Sequence, residues 1–382
     1  MSARPGTRLV TLGLLAVASS LSVFVGESSA VQLALRVVGV GLIVVAAARS
    51  GRAPRGDATW LTWLMASIAL YVVVGDLFHG QWLAGLTTLA SLVVVTAALT
   101  FALPRLDPET FVTACRRVLT TTLVVSLALG VLTPGTALEM NRLRGFYENA
   151  NGAGFVALAL GVLTLLRPSG VPATTLGLLT AGATLVWSAS RTSAIALVLV
   201  LVVVLVVRRS ATLTLIVLAI GVGLLCLWAW TPEVQVVLDG LLRGTDSRSA
   251  TTDLALEVLR DSPVIGIGIG NEVGIHVSSP LVAFIHAGAP GALAFVGMAA
   301  ALTMPAARRG WRSVVVTVAL LVHSTGESWL LSPISPMLLT AVLLWHGIVG
   351  ADPVRRAAQP TSPPQPALPP PAPSRPHLQR TS

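Results

Sequence analysis

The sequence predicts an all-α, polytopic membrane helix bundle of about twelve transmembrane helices, with both termini on the cytoplasmic side. Three observations predict it. Of 382 residues, 54% are hydrophobic and only 11% are charged, with a mean hydropathy of +0.82. Soluble domains carry about 25% charged residues, so this chain cannot tile a water-facing surface. That excludes a soluble enzyme, and it also excludes a disordered chain, which would be poor in apolar residues. The second observation is the recurrence of apolar runs long enough to cross a bilayer. The third is the side to which the charges sort.

The apolar runs are 9–25, 31–48, 59–75, 82–103, 117–133, 152–167, 171–187, 191–207, 211–230, 281–303, 313–331 and 334–350. Arg4 and Arg8 precede the first run, and Ser28-Ser29-Ala30 resembles a cleavage site. Its apolar stretch is long for a signal peptide, so it is read as a span. With the N-terminus inside, 18 of the 25 basic residues fall in cytoplasmic segments and 12 of the 16 acidic residues fall outside or near outer span ends. Net charge is then +14 inside and −5 outside, as the positive-inside rule expects. The overall +9 therefore reads as a topology signal and not as a nucleic-acid footprint. All 25 basic residues are Arg.

Residues 1–350 form one transmembrane domain, and no internal repeat is evident. Residues 134–150 are a short outer loop. Residues 231–280, between spans nine and ten, are the longest outer loop. Within it, Val234, Val237, Leu238, Leu241 and Leu242 suggest a helix lying at the interface, and 250–259 suggests a second short helix. Residues 351–382 form a Pro-rich cytoplasmic tail, expected to be disordered or partly polyproline II. Cys115 and Cys226 fit no metal or disulfide pattern and read as packing residues.

Arginines on the outer side break the charge rule and invite a reason. Arg191 follows Trp187-Ser188-Ala189-Ser190 between two spans. Its guanidinium suits bidentate phosphate or pyrophosphate binding, or it snorkels to lipid phosphate. Arg142 and Arg144, at i and i+2, could form an anion cradle in a polar loop that enters the next span through Asn149, Asn151 and Gly152. Of six histidines, His276 is the general-base candidate, being the one in an outer loop beside small polar residues. His286 and His323 fall within spans, where polar residues are costly. His323 could pair with Glu327 one turn on, or simply bond another helix. Gly266-Ile-Gly-Ile-Gly270 lacks the strand and helix of a dinucleotide fingerprint. It reads as a tight turn that lets the backbone approach something closely. No metal-ligand spacing is present, so no metal or other cofactor is expected.

Four pieces across residues 140–300 resemble the bacterial O-antigen ligases and related Wzy-type polysaccharide polymerases. Arg144-Gly-Phe-Tyr-Glu-Asn-Ala-Asn-Gly152 is similar to the Arg-, Gly- and Asn-rich start of one of that family's spans. Ser188-Ala-Ser-Arg191 resembles its Ser-x-Ser-Arg link between spans, and Asp261-Ser-Pro-Val-Ile-Gly-Ile-Gly268 resembles its Gly-x-Gly turn. His276 with Gly288-Ala-Pro-Gly291 resembles the ligase histidine pattern, and the long outer loop matches the family's periplasmic loop. Val277 stands where that pattern has Asn, Ser or Gln, and the gap to Gly288 is one residue longer. Either Ser278 or Ser279 then supplies the polar contact, or the histidine role is lost.

The resemblance implies a metal-independent, inverting transferase on the extracytoplasmic face of the plasma membrane. Its partners would be a polyprenyl-pyrophosphate-linked glycan donor, a lipid or glycan acceptor and membrane lipids. Arg191 would bind pyrophosphate, assisted by Arg142, Arg144 or Arg260, with Asn149, Asn151, Ser190 and Ser278 also at the substrate. His276 would take the acceptor's proton. The alternatives are a transporter or flippase for envelope lipids or glycans, and a non-catalytic member of the family. Against a transporter, the connection after span six is only Arg167-Pro-Ser-Gly170, and the spans lack acidic residues at mid-depth.

Overall fold

The computed structural model describes residues 5–20, 22, 29–54, 58–209, 215, 253, 256–257, 260–269, 271, 279–327, 329–331 and 335–351. The protein is mostly helical, and among the described residues seven helices are long and apolar enough to cross a membrane. In chain order the helices are α1 (Pro5–Ser19), α2 (Ser29–Arg49), α3 (Thr59–Val72), α4 (Trp82–Ala102), α5 (Pro108–Leu132), the single turn α6 (Pro134–Ala137), α7 (Ala150–Leu166), α8 (Val171–Ser188), α9 (Arg191–Arg208), α10 (Ser279–Ala307), α11 (Trp311–Gly326) and α12 (Pro336–Ala351). Every apolar run named above except 211–230 overlaps one of these helices, but α1, α7, α11 and α12 are not among the seven long enough to span. The 211–230 run apart from Leu215, the interface helix at 234–242 and the tail beyond residue 351 lie outside the described residues. Asp253, Leu256, Glu257, Arg260 and Asp261 are helical, within or just after the second short helix expected in the long loop.

Burial divides the helices into a centre and a rim. α7 is buried along almost its whole length, from Ala150 to Leu166, with α5, α8, α9 and α12 packed around it. α4 and α9 expose apolar side chains such as Leu83, Val93, Val94, Val198, Val202 and Val206. Water would penalise such surfaces, whereas lipid tails solvate them as well as a protein interior does. Helices here gain little from apolarity alone, so close approach matters. A Cβ on Gly13 would fall 2.7 Å from the Gly39 carbonyl oxygen, which is how α1 and α2 cross backbone to backbone.

Four boundaries differ from the expected spans. α1 stops at Ser19, short of the expected end at 25, with Ser20 in a turn and Ser22 in an isolated bridge to Tyr147. α5 begins at Pro108, with Asp107 as N-cap residue, and so takes Arg116 and Arg117 inside the helix. Pro at the first helical position costs no hydrogen bond, and its fixed φ suits a helix start. α11 stops at Gly326; Glu327 is extended and a 3-10 turn, Trp329–Leu331, follows. α10 is broken at Gly288, where φ is 58° and ψ is −143°.

The break in α10 explains the glycine-rich segment. Pro290 has no N–H, so the His286 carbonyl loses its helical donor. The Ala289 N–H turns instead to the Pro263 carbonyl at 3.2 Å. The two stranded carbonyls are taken by the incoming segment: Ile267 N–H donates to Ile285 at 2.9 Å and Gly268 N–H to His286 at 3.0 Å. Gly266 and Gly268 have φ of 71° and 88°, and a Cβ on Gly266 would lie 2.4 Å from the Ile285 oxygen. The far side of the segment rests on a π-helical turn, Val73–Leu77, that ends α3. There Ile269 N–H donates to the Gly75 carbonyl at 2.8 Å, and Gln81 Nε2 donates to the Ile269 carbonyl at 2.6 Å. The close backbone approach expected of this segment is therefore an approach to two broken helices. Irregular backbone at membrane depth is tolerable when its polar groups are satisfied in this way.

Candidate active site

The bundle end formed by residues 138–151, 188–193, 279 and 323–329 is the one that the charge pattern assigns to the outside. It is built from the 134–150 loop upward. Leu138–Glu139 and Arg142–Leu143 form a two-stranded antiparallel ribbon in which Glu139 faces Arg142. The loop is anchored to α5, since Phe146 N–H donates to Ser126 Oγ at 3.0 Å and the Tyr147 hydroxyl donates to Thr122 Oγ1 at 2.7 Å. Burial pushes the Tyr147 phenol well above its usual value, partly offset by the Thr122 bond. The start of α7 is capped twice. Asn149 Oδ1 accepts Gly152 N–H at 2.7 Å, and the Glu139 carboxylate accepts Ala150 N–H at 3.0 Å.

Arg142 ties this loop to the link between α8 and α9. Its Nε donates to the Ser188 carbonyl at 2.9 Å and its Nη2 to Asn151 Oδ1 at 2.7 Å. At that link Ala189 is left-handed, with φ of 49°, so the chain reverses within two residues. Arg191 is exposed at the first position of α9. The N-cap residue, Ser190, makes no side-chain cap to the helix; its hydroxyl bonds Ser193 Oγ at 2.8 Å instead. The N-terminal end of an 18-residue helix thus coincides with a guanidinium, and both favour an anion.

Beneath Arg191 runs a buried polar chain. Trp329 Nε1 donates to His323 Nδ1 at 2.7 Å, and His323 Nε2 contacts Ser193 Oγ at 3.0 Å. Indole is only a donor, so His323 Nδ1 must accept, and the ring takes the Nε2–H tautomer. Nε2 then donates to Ser193, whose hydroxyl also shares a bond with Ser190. Phe155 packs its ring 5.2 Å from both His323 and Trp329. A Cβ on Gly154 would lie 2.3 Å from Ser190 Cβ, and one on Gly326 would lie 2.2 Å from Thr192 Oγ1. α9 therefore fits closely against α7 and α11. His323 bonds across helices, the simpler of its two expected roles, while the Glu327 backbone carbonyl accepts from Ser279 N–H at 3.2 Å and from the Ser279 hydroxyl.

The sequence-derived site residues divide accordingly. Arg142, Asn151, Ser190 and Arg191 meet around one turn. Asn149 stands at the same helix start as a cap. Arg144 Nε donates to the Thr136 carbonyl at 2.9 Å, within its own loop. Arg260 is exposed just before the glycine-rich segment, which docks on α3 and α10. His276 and Ser278 lie outside the described residues, and Ser279 is the first described residue after them. Among the described residues, no group of three or more His, Cys, Asp or Glu could hold a metal ion.

Sequence reasoning singled out His286 but missed the polar group that it joins. The Tyr71 hydroxyl bonds His286 Nδ1, and the buried Asp76 interacts electrostatically with His286. One signal was available, since Tyr71 is one of only two tyrosines and Asp76 is an acid at the end of an apolar run. Their partner lies 215 residues from Tyr71, beyond any local pattern.

No family model matches the chain. Nor does any curated protein match it.

Proposed function

We propose that the protein is a membrane glycan transferase of the O-antigen ligase and polymerase type. It moves a glycan from a polyprenyl-pyrophosphate donor to a hydroxyl acceptor on the extracytoplasmic face of the plasma membrane. The observation that supports this most is the coincidence at one turn of Arg191, the N-terminus of α9 and Arg142. In the proposed step the acceptor oxygen attacks the anomeric carbon, and the bond from that carbon to the pyrophosphate oxygen breaks with inversion. His276 takes the acceptor's proton. The departing pyrophosphate keeps the bonding electrons, and its charge is met by Arg191 and the helix end. Arg142, whose Nε and Nη2 are already engaged by Ser188 and Asn151, positions the loop. The twelve-span count and the N-in, C-in orientation belong to this proposal.

The test is complementation in cells lacking the parental copy. Arg191→Ala and His276→Ala should abolish transfer at normal membrane levels. Arg191→Lys should also fail, since an ammonium keeps charge but loses the planar fork. Polymer still built by the double variant would overturn the mechanism. In the deletion strain, accumulated single repeat units indicate a polymerase and accumulated long lipid-linked chains a ligase.

One observation favours transport instead: α10 is discontinuous, and broken helices often frame transporter sites. Here, however, the two carbonyls exposed by the break accept Ile267 and Gly268, so the break is occupied by the chain itself. A deletion strain with unchanged surface glycans and lipid-linked intermediates would revive the transport reading.

A further inference from the structure

At the opposite end of the bundle, a cavity of about 490 Å³ opens among the ends of four helices. Each contributes an arginine: Arg116 from α5, Arg167 at the C-cap of α7, Arg208 in the last turn of α9 and Arg312 in the first turn of α11. The single acidic residue in the lining is Glu109, whose carboxylate is 3.6 Å from Arg167 Nη1. Among the described residues that line the cavity, positive charges therefore outnumber negative ones by three. Packing like charges together is unfavourable unless something opposes them.

These guanidiniums are held in place. Arg116 donates to the Arg167 carbonyl, and Arg208 Nη2 donates to the Leu166 carbonyl at 2.9 Å, so the terminal carbonyls of α7 orient two of the four. The Trp311 ring centroid is 5.8 Å from the central carbon of Arg208 and 5.7 Å from that of Arg312. Arg116 Nε is buried and has no hydrogen-bond partner among the described residues. Its neighbours offer further donors in Thr113 and Ser169. The site is separate from the Arg191 turn, because α9 alone places about 26 Å between Arg191 and Arg208.

We propose that this cavity binds a phosphate group, gripped by the Arg116, Arg167, Arg208 and Arg312 guanidiniums, at the arginine-rich and therefore cytoplasmic end of the bundle. Guanidinium forks match phosphate oxygens in geometry and charge. Basic pockets between helix ends at a membrane surface take anionic headgroups, and a soluble phosphate offers the same chemistry. The binding site stands independently of the transfer reading, since it uses other residues at the other end.

The full-length protein, purified in detergent and stripped of lipid, decides the matter by thermal shift and native mass spectrometry. The probes are phosphatidylglycerol against phosphatidylcholine, and inorganic phosphate against chloride at equal ionic strength. Arg116→Gln should weaken the response about tenfold or more, the scale of one charge-assisted hydrogen bond. Arg312→Gln gives a second reading should Arg116→Gln fold poorly, and the exposed Arg52→Gln should respond as the parent does. A phosphatidylglycerol response lost in the cavity variants supports the site with a lipid as its source. An inorganic phosphate response lost in those variants supports it with a soluble source. No response to either probe, or a response equal in parent and cavity variants, overturns the proposal.

Discussion

Replacing Gly288 by Ala tests whether the broken helix and the glycine-rich segment form one unit. Two costs are readable. The first is conformational: φ 58°, ψ −143° is close to a region open essentially to glycine, worth about 1–3 kcal/mol for another residue. The second is steric. The new Cβ would lie 2.3 Å from the Val264 carbonyl carbon and oxygen and 2.6 Å from Ile265 N, all of them backbone atoms. Ordinary contact needs about 3.5 Å, so the segment must retreat by roughly 1 Å. That strains three backbone bonds: Ala289 to Pro263, Ile267 to Ile285 and Gly268 to His286. At about 0.5–1.5 kcal/mol each, the combined cost is roughly 3–7 kcal/mol. Gly51→Ala is the control. Gly51 also has positive φ, 59°, but a Cβ there meets nothing within 4 Å, so the cost should stay near 1–2 kcal/mol. Thermal unfolding in detergent, followed by tryptophan fluorescence, compares the two. Hydrogen–deuterium exchange of peptides spanning 262–269 gives a local readout, and Gly288→Ala should speed their exchange. Equal melting of both variants, with unchanged exchange, would refute the reasoning.

The buried chain beneath Arg191 should behave as a unit. Ser193→Ala leaves His323 Nε2 and Ser190 short of a partner, so it should destabilise by about 1–3 kcal/mol, whereas exposed Thr325→Ala should be near neutral. A double-mutant cycle of Ser193→Ala with His323→Phe should show coupling of about 0.6–1.7 kcal/mol, the range seen for interhelical bonds in membranes; strict additivity would break the chain. Tyr147 makes the pH prediction. Its phenol is raised by burial, so above pH about 10 the unfolded state releases a proton that the folded state keeps. Stability should therefore fall as pH rises past that point. Tyr147→Phe should be less stable at neutral pH through loss of the Thr122 bond, yet lose less stability on going alkaline. An alkaline slope identical in the two proteins would rule out the assignment.

The helices were legible because transfer of apolar residues from water to lipid is local and nearly additive, so a run of Val, Leu and Ala announces itself. Boundaries were less so. Pro108 opens α5 upstream of the apolar run, and Gly288-Ala289-Pro290 breaks a run that hydropathy reads as continuous. The site was half legible. Arg142, Asn151, Ser190 and Arg191 stood out as polar groups at an end that the charge pattern reads as outer, and the structure gathers them. Their local geometry was hidden: Asn149 caps α7, and Arg144 is engaged by Thr136 in its own loop.

Sequence alone determined that this is a helical membrane chain and roughly where its apolar helices run. Each of those depends on residues adjacent in the chain. Only the tertiary structure decided that Arg142 holds the α8–α9 turn, that Ser193 meets His323 from 130 residues away and that four arginines close one cavity. A helix that is apolar on every side carries little periodic signal of which face it turns to a neighbour. In lipid, the pairing is set instead by close backbone approach at small residues and by a few hydrogen bonds whose partners are far apart in sequence.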